Sequence, residues 1–256
     1  MAGGIRFIAF DMFGTLVHND AAEWRAALHA IAREQALGIE GDTLWKEWSA
    51  REVAFRKTRT NMADPPASPP FRTYREAWRD AFVETFRDLR LPGDAEAAAD
   101  LCVEALTTHE AFTDAPSALE ALATHARLAV LSNADDRFLD GTIAHNGWGF
   151  EDVVSSETAR AYKPDPRIFA LLCQRLGARP SEILYVGDSP YDDVHGAGLA
   201  GMRTVLVRRD QNTPGRTPPP DATALLGPDF AVNSLAELVP LAAALTGGAP
   251  ASAERS

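Results

Sequence analysis

Cysteine is scarce. The chain has two, Cys102 and Cys173, far apart and in no spacing that suits a metal site. They read as reduced, mostly buried thiols of a reducing compartment. No apolar run approaches the roughly 20 residues needed to span a bilayer. No basic stretch, apolar core and cleavage site open the chain. The expectation is a cytoplasmic protein with no membrane partner. Positive charge is short as well: 25 Lys and Arg face 36 Asp and Glu, for a formal charge of −11. That balance argues against a nucleic-acid partner, because a phosphate backbone must meet a positive surface. It does not argue against a small anionic substrate, which responds to the local field of a pocket.

At 256 residues the chain can bury one substantial core, or one core with a smaller appended unit. A monomer or homodimer is expected. Short β-like runs occur at Ile5–Phe10, Leu128–Leu131, Asp152–Ser155, Ile183–Val186, Thr204–Val207 and Phe230–Val232. Most are continuously apolar, as strands covered on both faces are. Helical patterns such as Pro116–His125 and Arg167–Leu176 lie between them, the latter followed by Gly177 at a C-cap position. Alternating strands and helices predict an α/β fold: a Rossmann-like parallel sheet flanked by helices.

The first strand is followed by something different. Glu23–Leu37, Thr43–Arg59, Tyr74–Leu89 and Ala95–Thr108 all carry apolar residues at helical spacing, interrupted by a Pro-rich loop at Asp64–Pro70. This block predicts a helical cap, residues 17–113, inserted into a core of residues 1–16 and 114–245. A second Pro-rich stretch, Thr213–Asp221, reads as a surface loop, and residues 246–256 as a disordered tail.

Polar groups close several strands: Asp11 the first, Ser132-Asn133 the second, and Gly187-Asp188-Ser189 the fourth. Ligands of open α/β sheets bind beyond the carboxyl ends of the strands, so these side chains should share one crevice. Lys163-Pro164-Asp165-Pro166, in a loop before a helix, can reach it. A lone aspartate at a strand end is ordinarily a turn or N-cap residue. Four such signals at one edge favour a site.

With these motifs in order, the chain resembles the haloacid dehalogenase superfamily of hydrolases, over nearly the whole sheet portion. The resemblance implies that Asp11 is a nucleophile forming a covalent aspartyl intermediate. It implies that Ser132 and Lys163 hold the substrate's oxyanion and balance the carboxylates, with Phe13 and Asn133 at the substrate. In the phosphatase branch it implies Mg²⁺ on Asp11, the Phe13 backbone carbonyl, Asp188 and Asp193, with Asp192 nearby. A hard cation between Asp11 and Asp188 would also relieve their repulsion.

Phe13 departs from the phosphatase pattern, which has a second aspartate there to protonate the leaving alcohol. Asp-x-aromatic-Gly-Thr looks like the L-2-haloacid dehalogenases, whose halide needs no proton. Those enzymes carry Ser-Ser-Asn where this chain has Gly187-Asp188-Ser189, and a cap arginine after Leu-Trp where Leu44-Trp45 is followed by Lys46. Lys46, a candidate substrate ligand, keeps the charge but not the planar fork. Asp188 in a metal-free pocket would repel both nucleophile and acid substrate. Charge therefore favours a Mg²⁺-dependent phosphatase of a small phosphorylated metabolite. An L-2-haloacid dehalogenase is the alternative, and a non-catalytic binding protein a further one.

Other signals weigh little. Gly196–Gly201 matches a dinucleotide fingerprint but starts well past the strand, inside a helix. The six histidines have no metal-ligand pairing. Arg51, Arg56, Lys57 and Arg59 read chiefly as a solvated helix face. Trp24, Trp45, Trp48 and Trp78 read as packing within the cap.

Overall fold

Phe7–Phe10, buried at every position, forms β1 near the middle of the sheet in this computed structural model, which describes residues 4–61, 64, 67–209 and 224–247. The other strands are β2 (Arg127–Ser132), β3 (Asp152–Ser155), β4 (Ile183–Gly187), β5 (Arg203–Val207) and β6 (Phe230–Val232). All pair in parallel, in the order β3-β2-β1-β4-β5-β6. The order reverses direction beside β1, which opens a crevice at the carboxyl ends of β1, β2 and β4. This is the expected Rossmann-like sheet.

Two-residue periodicity divides each apolar run between two cores. Ile8, Phe10, Leu128 and Val130 point into one; Phe7, Ala9, Ala129, Leu131 and Tyr185 point into the other. That is why the runs show no polar alternation: neither face meets water.

Between β1 and β2 lie α1 (Ala21–Glu34), α2 (Gly41–Thr58), α3 (Tyr74–Leu89) and α4 (Ala95–Leu106). Their starts are encoded locally. Asp20 with Glu23, and Thr73 with Glu76, form capping boxes that satisfy otherwise orphaned N–H groups. Trp24 stacks on Trp48 and Trp48 on Phe82, with ring centroids 5.6 and 5.2 Å apart, so these tryptophans do pack within the cap. The cap's core is continuous with the first sheet face. That face also takes α5 (Ala115–Ala123), α6 (Asp136–His145) and, after β6, Leu235–Leu245. The short α7 (Ser156–Ala159) precedes α8 (Pro166–Leu176), which covers the opposite face together with α9 (Gly196–Leu199). The closing helix Leu235–Leu245 is α10. Gly177 ends α8 in the left-handed conformation, as its position predicts.

Two connections join cap and core side by side. His18 donates its N–H to the Glu110 carbonyl at 2.9 Å, and Phe112 to that of Leu16 at 3.0 Å. A third tie is Asp135, after β2, whose carboxylate accepts the N–H groups of Tyr74 and Arg75 at 2.8 Å each. It caps the first turn of α3 from across the boundary. Burial pushes this carboxyl up to about 6, against the pull of those two donors.

The glycine-rich Gly196–Gly201 segment lies in and after α9, past a six-residue π-helical turn, Pro190–His195. A Cβ on Gly196 would come within 2.8 Å of Phe169 and Pro164, so close packing explains that glycine. Among the described residues no helix is long and apolar enough to cross a membrane. Thr246 and Gly247 form the turn that ends α10; the rest of the expected tail, the stretch Thr213–Asp221, and Pro65 and Pro66 lie outside the described residues.

Candidate active site

Asp11 is the first residue past β1, fixed by its N–H to the Val186 carbonyl at 2.9 Å. The chain then turns sharply. Leu16 and Val17 both donate to the Met12 carbonyl, and Gly14 sits at φ +89°, where a side chain would be strained. Ser132, the last residue of β2, donates its hydroxyl to Asp11 Oδ1 at 2.7 Å. The Lys163 ammonium lies 2.9 Å from the same oxygen. Ser132 and Lys163 thus both hold Asp11 Oδ1.

Lys163 is 1% exposed, and its partners decide what it can do. Besides Asp11 it meets Asp193 Oδ1 at 2.6 Å, the Tyr185 hydroxyl at 3.0 Å and the Leu131 carbonyl at 3.3 Å. An ammonium has three protons for these four acceptors. Of the two duties expected of Lys163, the geometry supports balancing the carboxylates, because the protein already uses its donors. Burial alone would lower its pKa, but the charges of Asp11 and Asp193 outweigh that and hold it well above the ordinary value. Burial pushes Asp193 up to about 6, with Lys163 pulling the other way.

Asp188 follows β4 and accepts the Thr15 hydroxyl at 3.1 Å. Asp193 comes back over the strand end on the π-helical turn, and its Oδ2 accepts the Ser189 N–H at 2.9 Å. Position 187 must be glycine for this return, since a Cβ would lie 2.3 Å from the Asp193 carboxyl. Gly187→Ala is therefore expected to cost about 1–3 kcal/mol through overpacking and to push Asp193 off Lys163. Thermal unfolding and activity, both measurably reduced, check this; wild-type values of both would contradict it.

One oxygen from each of Asp11, Asp188 and Asp193 lies within 4.8 Å of the others. Three buried carboxylates at that spacing fit a hard, oxygen-seeking cation such as Mg²⁺. Phe13, whose carbonyl was the fourth expected ligand, lines the same cavity. Its half-buried ring meets His109 and Phe138 edge-on, at centroid distances of 5.9 and 5.5 Å, and brings no proton donor. Asn133 also lines the cavity, yet its amide is used chiefly on the protein. It accepts the Lys163 N–H at 2.7 Å and donates to Asp192 Oδ2 at 3.4 Å.

Lys46 is not brought to the site. Leu44 and Trp48 set the buried face of α2, and a residue two positions from each points to the opposite, exposed side. The basic run divides by the same geometry. Arg51 pairs outward with Glu84 and Asp88, and Lys57 is exposed. Arg56 and Arg59 continue the inward stripe of Trp48 and Glu52 and line the cavity, contrary to the solvated-face reading. That stripe was the available signal. Arg59 is joined to Asp192 at 3.2 Å and to the Tyr74 hydroxyl. Burial raises the Asp192 carboxyl, opposed by Arg59 and Lys163. Ser189, from the motif that follows β4, also lines the cavity, as do Asn19 and Tyr74, which carried no motif.

The cavity has a volume of about 80 Å³. Among the described residues its charged lining is four carboxylates (Asp11, Asp188, Asp192, Asp193) and three cations (Arg56, Arg59, Lys163). A strand-end carboxylate, a hydroxyl that donates to it, a buried cation and a candidate metal cluster thus meet at one sheet edge.

Comparison with known proteins identifies the family. A family model described as haloacid dehalogenase-like hydrolase matches residues 5–201. An (S)-2-haloacid dehalogenase 4A of Burkholderia cepacia is 31% identical over 249 residues, covering 95% of this chain and 97% of the relative. A phosphoglycolate phosphatase of Pectobacterium atrosepticum is 27% identical over 242 residues, 93% of this chain and 92% of the relative. Among solved structures, an L-2-haloacid dehalogenase of Xanthobacter autotrophicus with chloropropionic acid covalently bound superposes with a TM-score of 0.70 at 25% identity. It covers 93% of this chain and 98% of that one. The chain belongs to the haloacid dehalogenase-like hydrolases.

Proposed function

We propose that this hydrolase acts on small 2-halogenated carboxylic acids through a covalent Asp11 ester. The observation that carries the reading is Phe13. A ring packed between His109 and Phe138 stands two residues past the nucleophile, where a reaction with an alcohol leaving group needs an acid. A halide departs without a proton. Removing a general acid typically slows such a reaction by roughly 10²–10⁴-fold when protonation is needed.

In the first step an Asp11 oxygen attacks the halogen-bearing carbon, the new C–O bond forms, and the halide leaves with its bonding pair. Ser132 and Lys163, both on Oδ1, hold the carboxylate in line. In the second step water adds to the Asp11 Cγ, and the ester's acyl C–O bond breaks. The product hydroxyl keeps the oxygen that came from Asp11. Asp193, whose carboxyl is raised by burial, takes one proton from the water and returns it to the departing product oxygen; the water's other proton goes to solvent, and Asp11 is restored as a carboxylate. The dehalogenases among the relatives, which match over nearly the full length, support this preference over the phosphatase that charge alone favours.

The Asp11, Asp188 and Asp193 cluster favours a second reading, a Mg²⁺-dependent phosphatase. Asp11, Asp188 and Asp193 would hold Mg²⁺, which would offset their charge and the charge of a phosphate group, leaving phosphorus open to Asp11. The convergence of Asp11, Ser132 and Lys163 at hydrogen-bonding distance supports a working enzyme over a non-catalytic binding protein. A panel of 2-haloacids and phosphate esters, each with Mg²⁺ and with excess EDTA, separates the readings. The expected result is halide release that survives EDTA. Phosphate release that EDTA abolishes, with no halide release, would make the phosphatase correct.

A further inference from the structure

A cavity with four carboxylates repels an acid substrate unless some cation is placed to meet it. Of the three cations among its described lining residues, Lys163 and Arg56 are turned toward protein partners. Lys163 has four protein acceptors for three protons. Arg56 is paired with Glu52 on its own helix, at 2.7 Å.

Arg59 is paired as well, but its carboxylate partner Asp192 lines the same cavity, whereas Glu52 does not, so the Arg59 fork stays at the cavity wall. Arg59 ends α2 with its side chain only 5% exposed. Its guanidinium carbon lies 4.4 Å from the Tyr162 ring centroid and 5.6 Å from that of Tyr74, so the fork packs against both rings. One terminal nitrogen donates to the Tyr74 hydroxyl and the other to Asp192 Oδ2. A guanidinium has five N–H donors, so two bonds leave capacity for another acid. Asp192 balances the Arg59 charge from the core side, and a planar fork can serve a second carboxylate beside it.

We propose that Arg59 is the group by which the cap binds the substrate's acid function. The inference rests on the Asp11 hydrolase reading and deepens it. It assigns to the end of α2, thirteen residues beyond Lys46, the charge recognition that the local sequence pattern suggested for Lys46. The shared chemistry is a small oxyanion, either a carboxylate or a phosphate. Because Arg59 comes from the cap and Asp11 from the core, the acid group is bound from one side while the reacting carbon faces the other.

The test is calorimetric titration of wild type, Arg59→Gln, Arg59→Lys and Lys46→Gln with propionate and, separately, with inorganic phosphate. KM and kcat for a turned-over substrate are measured on the same proteins. Arg59→Gln is expected to weaken binding of the preferred anion by about 10-fold or more, the usual scale for a charged hydrogen-bonded pair, and to raise KM more than it lowers kcat. Arg59→Lys, which keeps the charge without the fork, should fall between the two. It carries the test if the Gln variant does not fold. Lys46→Gln should bind as wild type does. Preference for propionate marks a carboxylate subsite and preference for phosphate a phosphoryl one. Wild-type affinity in both Arg59 variants, or no binding of either anion by wild type, overturns the proposal. Halide release is scored separately: its absence in wild type would overturn the dehalogenase reading while the titrations still decide Arg59.

Discussion

Asp11→Asn is expected to reduce turnover by roughly 10⁴-fold or more, the scale of removing a covalent nucleophile. The side chain is nearly isosteric and keeps an oxygen at the Oδ1 position, so the Ser132 hydroxyl retains its acceptor. The fold should therefore survive, with an unchanged circular dichroism spectrum. The loss should appear in kcat, because an amide nitrogen is a poor nucleophile wherever the substrate sits. Near-normal kcat, with deamidation excluded by mass spectrometry, would remove Asp11 from the chemistry.

Lys163→Met is expected to be the most destabilising single change in the site, by about 3–5 kcal/mol. Methionine has a comparable length, so the cost is electrical. Asp11 and Asp193 would remain buried with the shared cation gone, and Tyr185 would lose its charged donor. Unfolding in denaturant measures the loss. The double variant Lys163→Met/Asp193→Asn should recover part of it, since one of the two stranded charges is removed with its partner. A loss below about 1 kcal/mol would be typical of an exposed ion pair and would contradict the burial and coupling described for Lys163.

The sheet was legible because its signals are local. A run such as Ile8-Ala9-Phe10 is apolar at every position only if both faces are covered, and Asp11, Ser132 and Asp188 each end such a run. Strand ends converge in any parallel sheet, so their grouping followed from topology alone. The cap was legible as helices standing over the carboxyl edge of the sheet, but not in which of its faces lines the site. Which face of α2 looks down depends on how the tryptophans Trp24, Trp48 and Trp78 pack, a tertiary matter. Lys46 was assigned from a three-residue match, whereas the stripe Trp48, Glu52, Arg56, Arg59 shows the inward direction. Asn133 was legible as a member of the site but not in its role. Its amide braces the backbone of Lys163, which sequence adjacency to Ser132 does not reveal. The balance of Asp188 and Phe13 could not be read from charge alone, because Lys163 already offsets part of the carboxylate cluster from within the protein.

Oxygen-18 labelling in a single turnover tests the central claim, an ester on Asp11. Enzyme in excess over a 2-haloacid, reacted in labelled water, is digested and the peptide containing Asp11 is weighed by mass spectrometry. If water attacks the Asp11 carbonyl, that peptide gains one labelled oxygen, and the hydroxy-acid product of the first turnover carries none. Label in the product with an unlabelled Asp11 peptide would mean that water attacks the substrate directly, and the covalent mechanism would be wrong.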